Sequence, residues 1–552
     1  MILENAVKNK RVYIGIFIFD FIFSLVVLLS KILFPIMWSG EKKATESWNV
    51  FKVQNIVIFM IVCVISYIVM IGIYEIANKI NIKTNKKENI FKYGIVSFLM
   101  NISCWSIWFI VLFPGTGMND TINCIMSPTE SANMQPPVFE AVVYYGMKIL
   151  MRIMNNSIVG YAIFTFIQMI IFSVILAWAC TWLAKKQIKP IILYAIIIYN
   201  SLMPIVGNYS IAIIKDIWYS YAVLVCTLTI HDILNGKINE KIIWILFVLS
   251  AGGIFFLRSN GKIIVLFVIA IMIYKEKIRK MLLCIGISFL ILNSLVTYTV
   301  KQYNNSNVTM REASGVLFCQ MASVVYYDGK MDDESCQFMD RLLPIEDWRT
   351  SYRLSFADTI KFNENFDNEY LNENKVEFIK TWFRLLKNNF KLYVKAYLYH
   401  TYGLWNIGIN IQPVDYTQSV FMKINNNTSD GVWVDFMNDI QLKNKSLLPQ
   451  NIQKPMYALL ERLAINNLKR GGGIFVWITL FLLYICILKK KIKTFISFMP
   501  LILSWGTMFL ATPASMVLRY IFGFILMLPF TILICIMDCQ KKDRVQEGRN
   551  NG

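Results

Sequence analysis

The feature that most constrains this chain is the recurrence of apolar windows of membrane-spanning length. Crossing about 30 Å of hydrocarbon takes roughly 20 apolar residues in a helix, and window after window meets that need with few charges. Backbone exposed to lipid must satisfy its own N–H and C=O groups, so such windows read as helices. The composition agrees: 56% of residues are hydrophobic and only 16% charged, against about 25% charged in soluble domains. The expected fold class is an all-α polytopic membrane protein. Spans are expected at about 12–36, 53–77, 92–113, 157–183, 189–206, 212–231, 241–257, 261–275, 280–300, 473–488, 493–511 and 515–537. The short window at 261–275 leaves eleven to thirteen as the range around twelve. The first span reads as uncleaved, because Pro35 and Met37-Trp38 follow it in place of a small-residue cleavage site.

The positions of the lysines set an expected orientation. Lys8, Lys10 and Arg11 precede the first span; Lys79, Lys83, Lys86, Lys87 and Lys92 follow the second; Lys185-Lys186, Lys275 to Lys280 and Lys489 to Lys493 fill later loops. With alternating spans all of these fall on one side, which the positive-inside rule makes the cytoplasm. Both termini join that side, including the basic tail 541–552 with Lys541, Lys542 and Arg544. The net charge of +20 is therefore a topology signal, and no basic soluble domain gathers it for nucleic acid. The other compartment receives the loop 114–156, the turns near 207–211 and 258–261, and a region 301–472 long enough for its own core. In that region Phe378, Trp382, Leu385, Leu386 and Phe390 form a helical stripe, so a mainly helical domain lying on the membrane is expected. Trp382, Tyr393, Tyr397 and Trp405 suit either the headgroup interface or packing between helices.

Several chemistries have no home here. With only two histidines and no CxxC pair, a zinc site is not indicated. Neither a Walker A loop nor a G-x-G-x-x-G after a strand is present, so nucleotide chemistry is not indicated either. Eight of the eleven cysteines lie in or near spans, leaving Cys124, Cys319 and Cys336 outside and a Cys319–Cys336 disulfide open.

Ionisable residues at membrane depth carry the functional signal. Asp120, with Asn119 before it, sits in PGTGMNDTINCIMSPTESANMQPP, where Gly115 and Gly117 turn the chain sharply at the end of the third span. Pro136-Pro137 then open an amphipathic segment with Lys148 and Arg152 placed for lipid phosphate. Lys215-Asp216 opens the sixth span. Asp216 alone is explained by a helix N-terminus, but Lys215 opposes that dipole. Arg258-Ser259-Asn260-Gly261 is a tight turn between two spans, and Arg519-Tyr520 lies about one turn inside the last. Singly each has a structural explanation; together they place one candidate base and three cations at the same outer interface, which suits a phosphate at headgroup depth. Asp20, inside the first span, has no such role and is expected to pair with a polar group on a neighbouring helix.

These residues resemble the signature regions of the polytopic GT-C glycosyltransferases, in particular the bacterial branch similar to protein O-mannosyltransferases and aminoarabinose transferases. That superfamily carries an essential aspartate in its first large extracytoplasmic loop, in a pattern like P-G-x-x-x-x-D followed by H-P-P and an interfacial helix; here stand Pro114-Gly115, Asp120 and Pro136-Pro137. Gln135 occupies the position where the family often has His, and one acidic residue stands where some members have two, so a divalent metal is possible but not indicated and no cofactor is required. The likeness covers about residues 90–265 and 490–535, with residues 1–90 as a two-span N-terminal addition, 91–300 and 473–540 as transmembrane parts of a GT-C-like bundle, and 301–472 as the extracytoplasmic domain.

The resemblance implies an inverting transferase in the cytoplasmic (plasma) membrane with its active site on the outer face. Its donor would be a polyprenyl-phosphate-linked sugar, and its acceptor an envelope glycan, lipid or protein. Asp120 would orient or deprotonate the acceptor hydroxyl. Lys215, Arg258 and Arg519 would bind the donor phosphate, supported by Asn119, Gln135, Asp216, Asn260 and Tyr520. Membrane lipids are the other expected partner, and nucleic acid is not. A polysaccharide polymerase or ligase is the neighbouring alternative, and a lipid-linked glycan exporter without chemistry is the alternative from another class.

Overall fold

The computed structural model describes residues 2–39, 51–84, 89–126, 136–303, 310–407, 442–468, 472–512, 514 and 517–540. Among them the fold is all-helical with no β-strand; three isolated bridges are the only extended pairings. Gln135, Pro513, Ser515 and the expected basic tail 541–552 lie outside the described residues.

At the centre stands the Lys215–Leu234 helix, buried on nearly every side from Asp216 onward. It packs against Lys241–Leu257, Phe522–Gln540, Met499–Ala511 and Ile492–Ser497. Two of its hydroxyls are returned to its own backbone: Ser220 Oγ donates to the Asp216 carbonyl at 2.8 Å and Thr229 Oγ1 to that of Val225 at 2.9 Å. By contrast Val53–Lys79 buries only Met70 and Tyr74, with Ile56, Met60, Val64, Ile68 and Ile76 exposed, as suits a lipid-facing span. It is held by Ile2–Ser39, where buried Asp20 accepts hydrogen bonds from Cys63 Sγ at 3.1 Å and from Ser66 Oγ. A carboxylate that would be costly in hydrocarbon is thereby paired.

Among the described residues seven helices are long and apolar enough to span a membrane, or eight if one bent pair is a single span; by that measure the expected twelve are not reached. Length is the reason. Lys241–Leu257 has 17 residues, Gly261–Met272 has 12, Gly473–Leu488 has 16 and Met499–Ala511 has 13. The expected span at 189–206 is two helices, Pro190–Leu202 and Pro204–Ser210, bent by 58°. Met203 between them is extended at ψ 115, the conformation a following proline favours. At the Arg258–Gly261 turn the Gly261 N–H donates to the Arg258 carbonyl at 3.0 Å, and a Cβ on Gly261 would collide with the Ile254 carbonyl oxygen. Only glycine lets the two short helices come so close.

Residues 310–407 form short helices around Phe318, Trp348, Tyr352, Phe378 and Tyr393, all buried and continuous with the core of the bundle. Their last helix, Phe390–Trp405, is wedged against Ile2–Ser39, Gly473–Leu488 and Met499–Ala511. Tyr402 Oη donates to the Ser30 carbonyl at 3.0 Å, Trp477 Nε1 to the Trp405 carbonyl and Trp505 Nε1 to the Leu404 carbonyl, both at 2.9 Å. Of the expected aromatic set, Tyr393 and Trp405 are buried between helices and Trp382 bonds Gln320 Oε1 at 3.0 Å. Phe390, placed in the buried stripe by spacing, is 66% exposed because the helix breaks at Asn389 just before it. Cys319 and Cys336 are free thiols.

The Pro137–Met154 helix buries Phe139, Val143 and Met147 and turns Val142, Tyr145, Ile149 and Ile153 outward beside exposed Lys148 and Arg152. An apolar outer stripe flanked by cations is the kind of surface an interfacial helix presents.

Candidate functional site

Two loops that are far apart in sequence are sewn together by backbone hydrogen bonds. The Thr116 N–H donates to the Ile211 carbonyl at 2.9 Å and the Ile213 N–H to the Thr116 carbonyl at 3.1 Å. Tyr161 Oη also donates to the Thr116 carbonyl at 2.9 Å, and Thr121 Oγ1 to that of Ile213 at 2.7 Å. Gln168 Nε2 supports the second loop through the carbonyls of Ser210 and Ala212 at 2.9 and 3.0 Å. Asn444 Nδ2 braces the first through those of Leu112 and Gly115, each at 2.7 Å. Gly115 has φ 134, and a Cβ there would lie 2.5 Å from Thr165 Oγ1. The sharp turn and the close approach both require glycine.

This seam fixes the helix that begins after each loop. Asp120, in the first turn of Asn119–Met126, comes beside Lys215, the first residue of the central helix: Lys215 Nζ lies 3.7 Å from Asp120 Oδ2. Arg519, from the 3₁₀ turn Leu518–Ile521 that opens the last span, donates from Nη1 to the same oxygen at 2.9 Å. Behind them Asp216, 1% exposed, bridges two guanidiniums, with Oδ1 3.2 Å from Arg258 Nε and Oδ2 3.3 Å from Arg519 Nε. Neither approach is aligned as a hydrogen bond, and both Asp216 oxygens and Arg519 Nε are otherwise buried without one. Asp216 therefore holds the arginines by charge. Tyr520 lies under both, 5.0 Å from Arg258 and 5.5 Å from Arg519, and Tyr219 lies 5.5 Å from Arg258, within cation–π range.

The cluster gathers three cations and two carboxylates at a point where apolar helix ends limit screening. Asp120 is the most open member, its side chain 25% exposed against 12% for each arginine. Such an arrangement can hold an anion and present an oxygen acceptor beside it.

Asp120, Lys215, Asp216, Arg258, Arg519 and Tyr520 are brought together here. Asn260 is not: its Nδ2 donates to Thr507 Oγ1 at 2.6 Å and clamps two helices. Asn119 begins the helix that carries Asp120, and Gln135 lies outside the described residues. Residues the sequence did not single out complete the site. Met118 and Met508 place their sulfurs 3.6 and 3.5 Å from Arg519 and Arg258. Tyr219 stands three residues after Asp216, on the same helix face, a spacing that would have found it. Among the described residues no three His, Cys, Asp or Glu side chains converge to hold a metal ion.

Fold and cluster together define a class, the all-helical membrane-type proteins with an ion-paired polar site at one end of the bundle. The chain belongs to a family of unknown function, DUF6020, whose model matches residues 126–550. The match takes in Lys215, Asp216, Arg258 and Arg519 and begins just after Asp120. No curated protein and no solved structure matches the chain.

Proposed function

We propose that the protein is a membrane glycosyltransferase that uses a polyprenyl-phosphate-linked sugar and an acceptor on the outer face of the plasma membrane. The observation that carries this reading is the convergence of Asp120, Lys215, Arg258 and Arg519 from four separate chain segments on one point. In this reading the shorter apolar helices complete a GT-C-like bundle of about twelve spans, and the lysine-rich loops are cytoplasmic.

The chemistry balances with these residues alone. The acceptor oxygen bonds to the anomeric carbon from the face opposite the phosphate. The bond from that carbon to the phosphate oxygen breaks with its electron pair going to the phosphate, and the hydroxyl proton passes to Asp120. Base assistance of this kind contributes about 10²–10⁴-fold. Preorganised cations that meet the charge developing on the leaving phosphate supply the larger electrostatic part, and Asp216 and the two tyrosine rings keep them in place.

The exporter reading has one observation in its favour, the broken span Pro190–Leu202 and Pro204–Ser210, since broken helices line many transport sites. Transporters built from repeats carry such breaks in matched pairs; a single one is found among the described residues. The two readings separate in proteoliposomes loaded with a short-chain polyprenyl-phospho-sugar and an envelope-glycan acceptor. Transfer with inversion at the anomeric carbon and release of polyprenyl phosphate is the expected result. Movement of the intact lipid across the bilayer without transfer would replace this proposal by the exporter.

A further inference from the structure

The two carboxylates of the cluster do not occupy equivalent places. Asp216, 1% exposed, sits behind the arginines, 3.2 and 3.3 Å from their Nε atoms. Asp120 stands in front, the more exposed of the two, and its Oδ2 takes both the Arg519 Nη1 hydrogen bond at 2.9 Å and the Lys215 ammonium at 3.7 Å. Those are the outward-facing donors a phosphate would need. A phosphate oxygen carries the same charge as a carboxylate oxygen and prefers the same guanidinium and ammonium partners.

Resting on the transferase reading, we propose that Asp120 is the resident counter-ion of the phosphate site: the phosphate of the lipid donor displaces it from Arg519 and Lys215, and only then does Asp120 serve the acceptor. One residue in this way ties donor binding to acceptor activation. Before the donor binds, the carboxylate is engaged by two cations and is a poor proton acceptor. Once an anion has taken those cations, the carboxylate faces a like charge in their place and becomes the stronger base. Only the Asp120 side chain need turn away, because its helix stays anchored through Thr121 Oγ1 to the Ile213 carbonyl and through the Thr116 backbone pairing, which lie on the seam and not on the cations. The resulting binding order is donor before acceptor.

The inference has an unusual signature, because removing the carboxylate should improve anion binding. Full-length protein in nanodiscs of zwitterionic lipid would be titrated with farnesyl phosphate by calorimetry. Asp120→Asn should tighten binding by about three- to tenfold, the range expected for releasing a partly exposed ion pair. Lys215→Gln should weaken it, and the gain from Asp120→Asn should shrink in the double variant, since one of the two competed cations is gone. Asp120→Ser serves as a second probe should the asparagine variant unfold. Unchanged or weaker binding by the Asp120 variants, with Lys215→Gln still weakened, would overturn the counter-ion role while leaving the phosphate site standing. Equal binding by wild type and Lys215→Gln, with no gain in the Asp120 variants, would overturn both.

Discussion

The central Lys215–Leu234 helix carries an aspartate close to each end, and the two are used differently. Asp232, near the C-terminus, accepts from Trp182 Nε1 and Lys186 Nζ at 2.8 Å and from Lys237 Nζ at 3.2 Å, so both of its oxygens are bonded. One residue before it, His231 Nε2 meets Asp538 Oδ2 at 2.8 Å, and Thr494 Oγ1 donates to the same oxygen at 2.7 Å. Lys275 Nζ caps the Ile233 and Leu234 carbonyls at 3.1 and 2.8 Å. At the other end Asp216 lies against two guanidiniums with no aligned hydrogen bond, and a third cation and aromatic rings gather there. A satisfied network rigidifies, whereas at the Asp216 end charge, not aligned hydrogen bonding, holds the groups together. The Asp232 end reads as a clamp between helices, and the Asp216 end as a site.

Two perturbations sharpen that contrast. The larger involves His400, which is fully buried on the wedge helix and meets the Thr512 carbonyl through Nε2 at 2.7 Å, close to the segment that leads to Arg519. Burial pushes its imidazole down from 6.5 to about 4. Above 6.5 the residue is neutral folded and unfolded alike, so no penalty exists. As pH falls from 6.5 towards 4 the unfolded chain takes up a proton that the folded one refuses, and stability declines. Thermal or denaturant unfolding should record a loss on the order of 3 kcal/mol by pH 4, and His400→Gln should flatten that part of the profile. An unchanged profile in the variant would remove His400 as its cause. The smaller perturbation is Asp232→Ala at the clamp. It should cost about 2 kcal/mol in stability, because the buried Trp182 indole loses its acceptor, while turnover per folded molecule stays the same. Lost turnover in fully folded variant protein would erase the distinction between the two ends.

Apolar run length and lysine placement made the all-helical membrane class legible, and charge at span ends marked Asp120, Lys215, Arg258 and Arg519. Helix length was less legible: Met203-Pro204 cuts an apolar run that hydrophobicity alone reads as a whole span, and the two helices that meet at the Arg258–Gly261 turn are only 17 and 12 residues long. The pairing within the cluster was not legible at all. It depends on Thr116 meeting Ile211 and Ile213 through backbone groups, which any residue but proline supplies and no motif records. Asn444, bracing the Gly115 turn from more than 300 positions away, leaves no local trace either. The place of the wedge helix stays open in the sequence because its Tyr and Trp residues suit a headgroup layer as well as a core; the ring N–H and O–H groups decide between these by the carbonyls they reach.

The most direct test is transfer by Asp120→Asn in membranes supplied with a polyprenyl-phospho-sugar and acceptor. Turnover should fall by about 10²–10⁴-fold in a variant whose melting temperature stays close to wild type. Near-wild-type transfer by that variant would contradict the account.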